Sequence, residues 1–134
     1  MSLARLLPAW FHAIADYAVG ISLIVVALAV GGSSGAVGTG VVVGVTVLLV
    51  SMLTKYPLGL VKVLPFTVHS AGDYLAVALL LASPWVLNFS DGDGGLTAFY
   101  LVAGIAVLAV SLITNYQYSP KRDWDTGRAA ASPA

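Results

Sequence analysis

The sequence predicts an all-α fold, a four-helix transmembrane bundle built from two parallel two-span repeats. Three observations carry this expectation: charge is scarce, four long apolar runs are divided by helix-breaking segments, and the second half of the chain echoes the first. Of the 134 residues, 9% are charged and 59% are hydrophobic, whereas an ordinary soluble domain carries about 25% charge. Six Lys/Arg and six Asp, with no Glu, cannot clothe a soluble domain of this size, which leaves roughly a third of its potential surface in water. The same composition excludes a disordered chain. Zero net charge and the lack of a basic face exclude a nucleic-acid partner. With no cysteine, disulfides, thiolate zinc sites and redox thiols are excluded as well. The expected partner is the lipid bilayer.

A membrane-crossing helix needs about 20 mostly apolar residues, and four runs qualify, at about 9–30, 37–55, 66–87 and 96–117. The first break, Gly31 to Gly38, is an uncharged Gly/Ser turn. The second runs from Lys55 to Pro65 and holds Pro57 and Gly59. The third, Ser90 to Gly95, is a turn cluster of Asp and Gly. Asp91 and Asp93 there lack the further ligands of a calcium loop. The apolar runs are continuous and do not alternate, which excludes a transmembrane barrel. Residues 1–118 are thus expected to form one membrane domain. Residues 119–134 are expected to be a polar, flexible tail.

All six cations flank one face of this arrangement: Arg5, Lys55, Lys62, Lys121, Arg122 and Arg128. The opposite face carries only Asp91 and Asp93. The positive-inside rule then places both termini and the 55–65 loop in the cytoplasm of a multi-pass plasma-membrane protein. Span 1 is read as retained, not as a cleaved leader, because the repeat needs it.

The pattern [RK]-x-L-P-x3-H-x3-D-Y occurs twice, 57 positions apart: Arg5, Leu7, Pro8, His12, Asp16 and Tyr17 against Lys62, Leu64, Pro65, His69, Asp73 and Tyr74. A second match, 60 positions apart, sets Ser51, Thr54 and Tyr56 against Ser111, Thr114 and Tyr116. Repeat one covers about 5–56 and repeat two about 62–116. Each holds two spans, so both enter the membrane in the same direction and the pseudo-two-fold axis runs along its normal.

Thr54-Lys55-Tyr56-Pro57-Leu58-Gly59-Leu60-Val61-Lys62, the paired H-x3-D-Y and Ser83-Pro84-Trp85 resemble the SPW-repeat family of small prokaryotic membrane proteins. The resemblance covers about residues 8–117. It implies the four-span fold and no particular activity. In that family the Ser-Pro-Trp motif commonly ends the first helix of each repeat. Here repeat one has Val26-Ala27-Leu28 at the equivalent place.

Asp16 and Asp73 are the residues on which function turns. Tyr17 to Val30 supplies only 14 mostly apolar residues, so span 1 must reach back past Asp16, and span 3 likewise draws in Asp73. An ionised carboxylate at that depth costs several kcal/mol unless it is paired, hydrated or protonated. His12 and His69 each lie four residues earlier, on the same helix face as their Asp. Thr54, Tyr56, Thr114, Asn115 and Tyr116 reach the same level from spans 2 and 4. With Tyr17 and Tyr74 these residues form the candidate polar cluster.

Three readings compete: a structural hydrogen-bond network, a proton- or ion-coupled small transporter acting as an oligomer, and a metal or haem site on His12, Asp16, His69 and Asp73. The expectation is the network, with interior carboxylates, no metal and no other cofactor. No nucleophile triad, P-loop or dinucleotide signature occurs, so no enzyme is expected.

Ala36, Gly40 and Gly44 form a small-residue stripe suited to close helix packing within the bundle or, as the second option, to a homo-oligomer. Trp10, Phe11, Tyr56, Phe66, Tyr116 and Tyr118 on one side, and Trp85, Phe89, Phe99 and Tyr100 on the other, are expected to be interfacial anchors. Pro84 is expected to fray the end of span 3.

The topology has a direct check. Cysteines placed at Ser34 and Ser90 are expected to react with a membrane-impermeant thiol reagent from outside intact cells. Labelling of either position only from the cytoplasmic side would overturn the orientation.

Overall fold

A computed structural model describes residues 4–116; the polar tail, with Lys121, Arg122, Arg128 and Tyr118, lies outside the described residues. Four helices carry the chain: α1 (Ala9–Val30), α2 (Ser34–Leu53), α3 (Phe66–Val86) and α4 (Gly94–Ile113). At 20–22 residues each they run about 30–33 Å, and all four are apolar enough to cross a bilayer. Among the described residues there is no strand, only two isolated bridges, Leu7 with Thr114 and Thr54 with Leu64.

The distribution of polarity is that of a membrane protein. Ile21, Val25, Leu28, Val42, Leu75 and Val102 are exposed, while His12, Asp16, His69, Asp73, Thr54 and Thr114 are buried. Water would reverse that arrangement; hydrocarbon favours it, because lipid tails solvate apolar side chains as well as the protein interior does.

Each helix packs on the two beside it, and α2 also approaches α4 across the diagonal. Among the described residues no Cα of α1 comes within 8 Å of α3, so those two meet only through side chains. The closest helix pair is α1 with α2. A Cβ on Gly44 would fall 2.7 Å from the Gly20 carbonyl oxygen, and one on Gly20 would fall 2.8 Å from Leu48. Ala36, Gly40 and Gly44 are all buried, so the small-residue stripe is used inside the chain. Gly104 does the same for α4, where a Cβ would meet Leu81 at 2.8 Å.

Buried positions correspond between the halves. All seven buried residues of α1 (Ala9, His12, Ala13, Asp16, Gly20, Leu23 and Ala27) have a buried residue of α3 57 positions later. Ala36, Gly40, Gly44 and Ser51 of α2 correspond, 60 positions later, to buried Leu96, Tyr100, Gly104 and Ser111 of α4.

Helix ends near a bilayer must find partners for their free carbonyls, and here the chain itself supplies them. The Met52 carbonyl accepts from Leu60 and Val61, and the Leu53 carbonyl from Val63 and Leu64. The Leu112 carbonyl accepts from Ala4, and that of Ile113 from Leu6 and Leu7. The segment before α3 thus closes α2, and the segment before α1 closes α4. At the opposite, turn end, Asp93 receives the Ser33 hydroxyl at 2.6 Å and the Ser33 N–H at 3.2 Å. This joins the two turns. Gly31 and Gly32 hold φ of 72° and 131° there, backbone conformations that other residues adopt only with strain.

Two expectations need correction. Trp10, Phe11 and Trp85 are exposed as anchors should be, but Tyr56, Phe66, Tyr116, Phe89 and Tyr100 are buried, and Phe99 is half-buried. Their backbones lie near the helix ends, yet their rings turn inward to fill space between helices, and the Tyr100 hydroxyl donates to the Ala36 carbonyl. Nor does Pro84 fray α3, which continues to Val86. A proline so near the end removes only the N–H that would serve Leu80, and the Pro84 carbonyl itself accepts from Phe89 and Ser90 at 2.9 Å.

The α1–α2 contact is open to test. Gly44→Val is expected to lower unfolding stability by about 1–3 kcal/mol through forced separation of the helices. Gly38→Ala, where a Cβ meets nothing within 4 Å, is expected to be neutral or mildly stabilising. Unfolding titrations in mixed detergent micelles measure both.

Candidate functional site

Asp16 is the eighth residue of α1 and Asp73 the eighth of α3, so each sits about 10 Å along a helix long and apolar enough to cross a bilayer. Both are 7% exposed. A carboxylate there demands compensating charge, and the one-turn spacing to His12 and His69 supplies it. His12 Nε2 lies 3.2 Å from Asp16 and 3.1 Å from Asp73; His69 Nε2 lies 3.1 Å from Asp16 and 3.0 Å from Asp73. Each imidazole therefore engages the other half's carboxylate as closely as its own. Each carboxylate uses both oxygens, one toward each imidazole.

None of these four contacts is aligned as a hydrogen bond. Each Nε2 faces the space between two carboxylate oxygens.

The outer nitrogens are fixed by threonine. Thr54 Oγ1 donates to the Val50 carbonyl at 2.6 Å and lies 2.7 Å from His69 Nδ1. Thr114 Oγ1 donates to the Val110 carbonyl at 2.6 Å and lies 2.7 Å from His12 Nδ1. A hydroxyl has one proton. With that proton on the helix carbonyl, each Nδ1 must be the donor, which leaves Nε2 to face the carboxylates. The Tyr56 phenol donates to Asp16 at 3.0 Å, and the Tyr116 phenol donates to Asp73. Both tyrosines lie beyond their helices. Burial, followed by the nearby carboxylate charge, raises both phenols well above their ordinary pKa, which keeps them protonated as donors.

Phe66 closes the cluster toward the loop end. Its ring lies 5.4 Å from that of His12, 5.7 Å from His69, 5.3 Å from Tyr56 and 4.8 Å from Tyr116. Ala9, 57 positions earlier, is also buried. A ring near the pseudo-axis leaves no room for a second, so the small residue opposite it is a packing requirement. Phe66 was expected to anchor in lipid. The signal for its real place was its spacing, because residues 66, 69 and 73 share one helix face.

Of the expected cluster, His12, Asp16, Thr54, Tyr56, His69, Asp73, Thr114 and Tyr116 come together. Tyr17 does not: it is half-buried and donates to the Leu58 carbonyl at 2.9 Å, tying α1 to the loop. Tyr74 is half-buried too. Asn115 is half-buried, and its N–H donates to the Leu7 carbonyl in the closure of α4.

A cavity of about 260 Å³ between α1 and α4 reaches His12 and Asp16. Its other lining residues, among them Ala15, Val19, Ala106 and Val110, are apolar. A porphyrin between the two imidazoles would have to displace both carboxylates, since all four nitrogen–oxygen separations are 3.0–3.2 Å.

No family model matches the chain, and neither does any curated protein or solved structure.

Removing one phenol donor should have the same effect from either half. Tyr56→Phe and Tyr116→Phe are each expected to lower stability by about 0.6–1.7 kcal/mol, the range for single hydrogen bonds between membrane helices. Phe66→Ala is expected to cost more, about 3–5 kcal/mol, through the cavity it leaves beneath the cluster. Equilibrium unfolding followed by circular dichroism ranks the three.

Proposed function

We propose that the chain is a small multi-pass plasma-membrane protein of the SPW-repeat type, structural or accessory and not enzymatic. Its two His-x3-Asp elements serve as a charge-balanced lock joining the helices at the cytoplasmic end, with both termini on that side. The observation that carries this reading is the crossed pattern of contacts: each imidazole touches the carboxylate of both halves. Two independent helix-bound pairs would not need that pattern.

A duplicated two-span unit accounts for it. The Thr–His, Tyr–Asp and bridge contacts all occur twice, at positions 57 or 60 apart, and the buried faces of α1 and α3 correspond at the same spacing. An accessory role fits a surface that is apolar around the bundle and buried charges that lie against one another.

The test is a double-mutant cycle with chelator present throughout. Asp16→Asn and Asp73→Asn each leave two imidazoles facing a single carboxylate. Each is expected to lower stability by on the order of 3 kcal/mol. The double variant leaves both imidazoles neutral beside neutral amides, so its loss is expected to fall well short of the sum. Strict additivity, or single variants as stable as the parent, would refute the lock.

A further inference from the structure

We propose that His12, Asp16, His69 and Asp73 form a binding site for one divalent first-row transition-metal ion. The proposal deepens the lock reading and rests on it. One ligand atom from each residue can be chosen so that all four lie within 4.8 Å of one another. The four nitrogen–oxygen separations are already 3.0–3.2 Å. A tetrahedral ion with bonds of about 2.0–2.2 Å needs ligand atoms separated by about 3.3–3.6 Å. The present contacts use both oxygens of each carboxylate, so closing on one ion takes a turn of each carboxylate that presents one oxygen to both imidazoles.

Two independent features point to an ion at the centre. The first is the pair of inward nitrogens: His12 and His69 are 1% and 2% exposed, and neither Nε2 makes an aligned hydrogen bond. Both face a point between carboxylates.

The second is the outer ring of partners. Metal-bound histidine characteristically donates its other N–H to a fixed acceptor, and ligating carboxylates are themselves hydrogen-bonded. Here Thr114 and Thr54 hold the two Nδ1 atoms, and Tyr56 and Tyr116 hold the two carboxylates. All four donors are oriented by side chains from the residues that immediately follow α2 and α4.

Charge supports the same assignment. Two carboxylates, two neutral imidazoles and a divalent ion sum to zero, the condition for burying the assembly in hydrocarbon. The chemistry of the donors selects the ion. Two nitrogens and carboxylate oxygens without sulfur suit zinc, cobalt, iron or manganese; calcium and magnesium prefer oxygen alone.

The experiment uses the full chain, without affinity histidines, in lipid nanodiscs after removal of metal by chelator, with cobalt(II) chloride as the probe. One cobalt per chain is expected, with the intense visible absorption of a four-coordinate ion, bleached by an equivalent of zinc. Thr114→Val keeps every ligand but removes one orienting partner, and is expected to weaken cobalt binding about 10- to 100-fold. His12→Ala/His69→Ala is expected to abolish the absorption.

Absence of the visible bands from the folded parent would overturn the site, as would bands of equal strength in the double histidine variant. Should that variant fail to fold, the parent stoichiometry and Thr114→Val decide, and unchanged affinity in Thr114→Val counts against the site. The two readings fail separately. If Asp73→Asn is destabilised in chelator while the parent takes up no cobalt, the lock stands and the metal site falls. If Asp73→Asn is as stable as the parent in chelator, the lock falls.

Discussion

Two carboxylates buried between helices long and apolar enough to cross a bilayer set the terms for the rest of this structure. Water is not available there to solvate Asp16 or Asp73, so compensating charge must come from the chain and be held in place by it. The nearest source is one helical turn away, in His12 and His69. An imidazole needs its own outer nitrogen satisfied, and a carboxylate has oxygens left over. These demands recruit Thr54, Thr114, Tyr56 and Tyr116 from the segments that follow α2 and α4. The cluster thus draws together α1, α3 and the residues that follow α2 and α4.

The two-fold character of the cluster follows from those demands. One His and one Asp on a single helix neutralise each other but leave unused donors and acceptors on both. A second copy opposite the first lets each imidazole share two carboxylates. Only side chains cross the interval between α1 and α3, and Phe66 fills the end of it. The same logic places a small residue, Ala9, where a second phenylalanine would collide. Corresponding positions in the two halves supply the pairing, and the unequal pair Ala9 and Phe66 fills the space between them.

Much of this was legible in the sequence because hydrocarbon constrains sequence so tightly. Apolar runs of sufficient length marked the four helices to within a few residues, and the shortage of apolar residues after Tyr17 forced Asp16 inward. The spacing of His12 from Asp16 gave the shared face. What the residues did not reveal was direction in the plane of the membrane. Aromatic side chains near a helix end look alike whether they face lipid or a neighbour, so residue type alone assigns Phe66 to the interface and Tyr56 and Tyr116 to the interface as well as the cluster. The H-x3-D-Y pattern groups Tyr17 with Asp16, but successive residues on a helix point about 100° apart, and Tyr17 reaches the loop instead. Pro84 was read from its local preference, which the packing of α3 overrides in its last turn.

The two ends of the bundle do different physical work. At the turn end the helices meet through Leu23, Leu80, Leu96, Phe89 and Tyr100, contacts that lipid tails can replace at little cost. At the loop end the contacts are ionic and hydrogen-bonded, and lipid cannot replace them. Separating the hairpin α1–α2 from α3–α4 would return each carboxylate to its own helix's imidazole, 3.2 Å and 3.0 Å away in the assembled state. It would also strip His12 from Thr114 and His69 from Thr54. Each hairpin is therefore neutral enough to enter a membrane by itself but left with unmatched polar groups until the other arrives. Small residues let α1 and α2 approach closely, and the polar cluster joins that hairpin to α3–α4. Specificity in this fold comes from its buried charges, and close packing comes from its glycines.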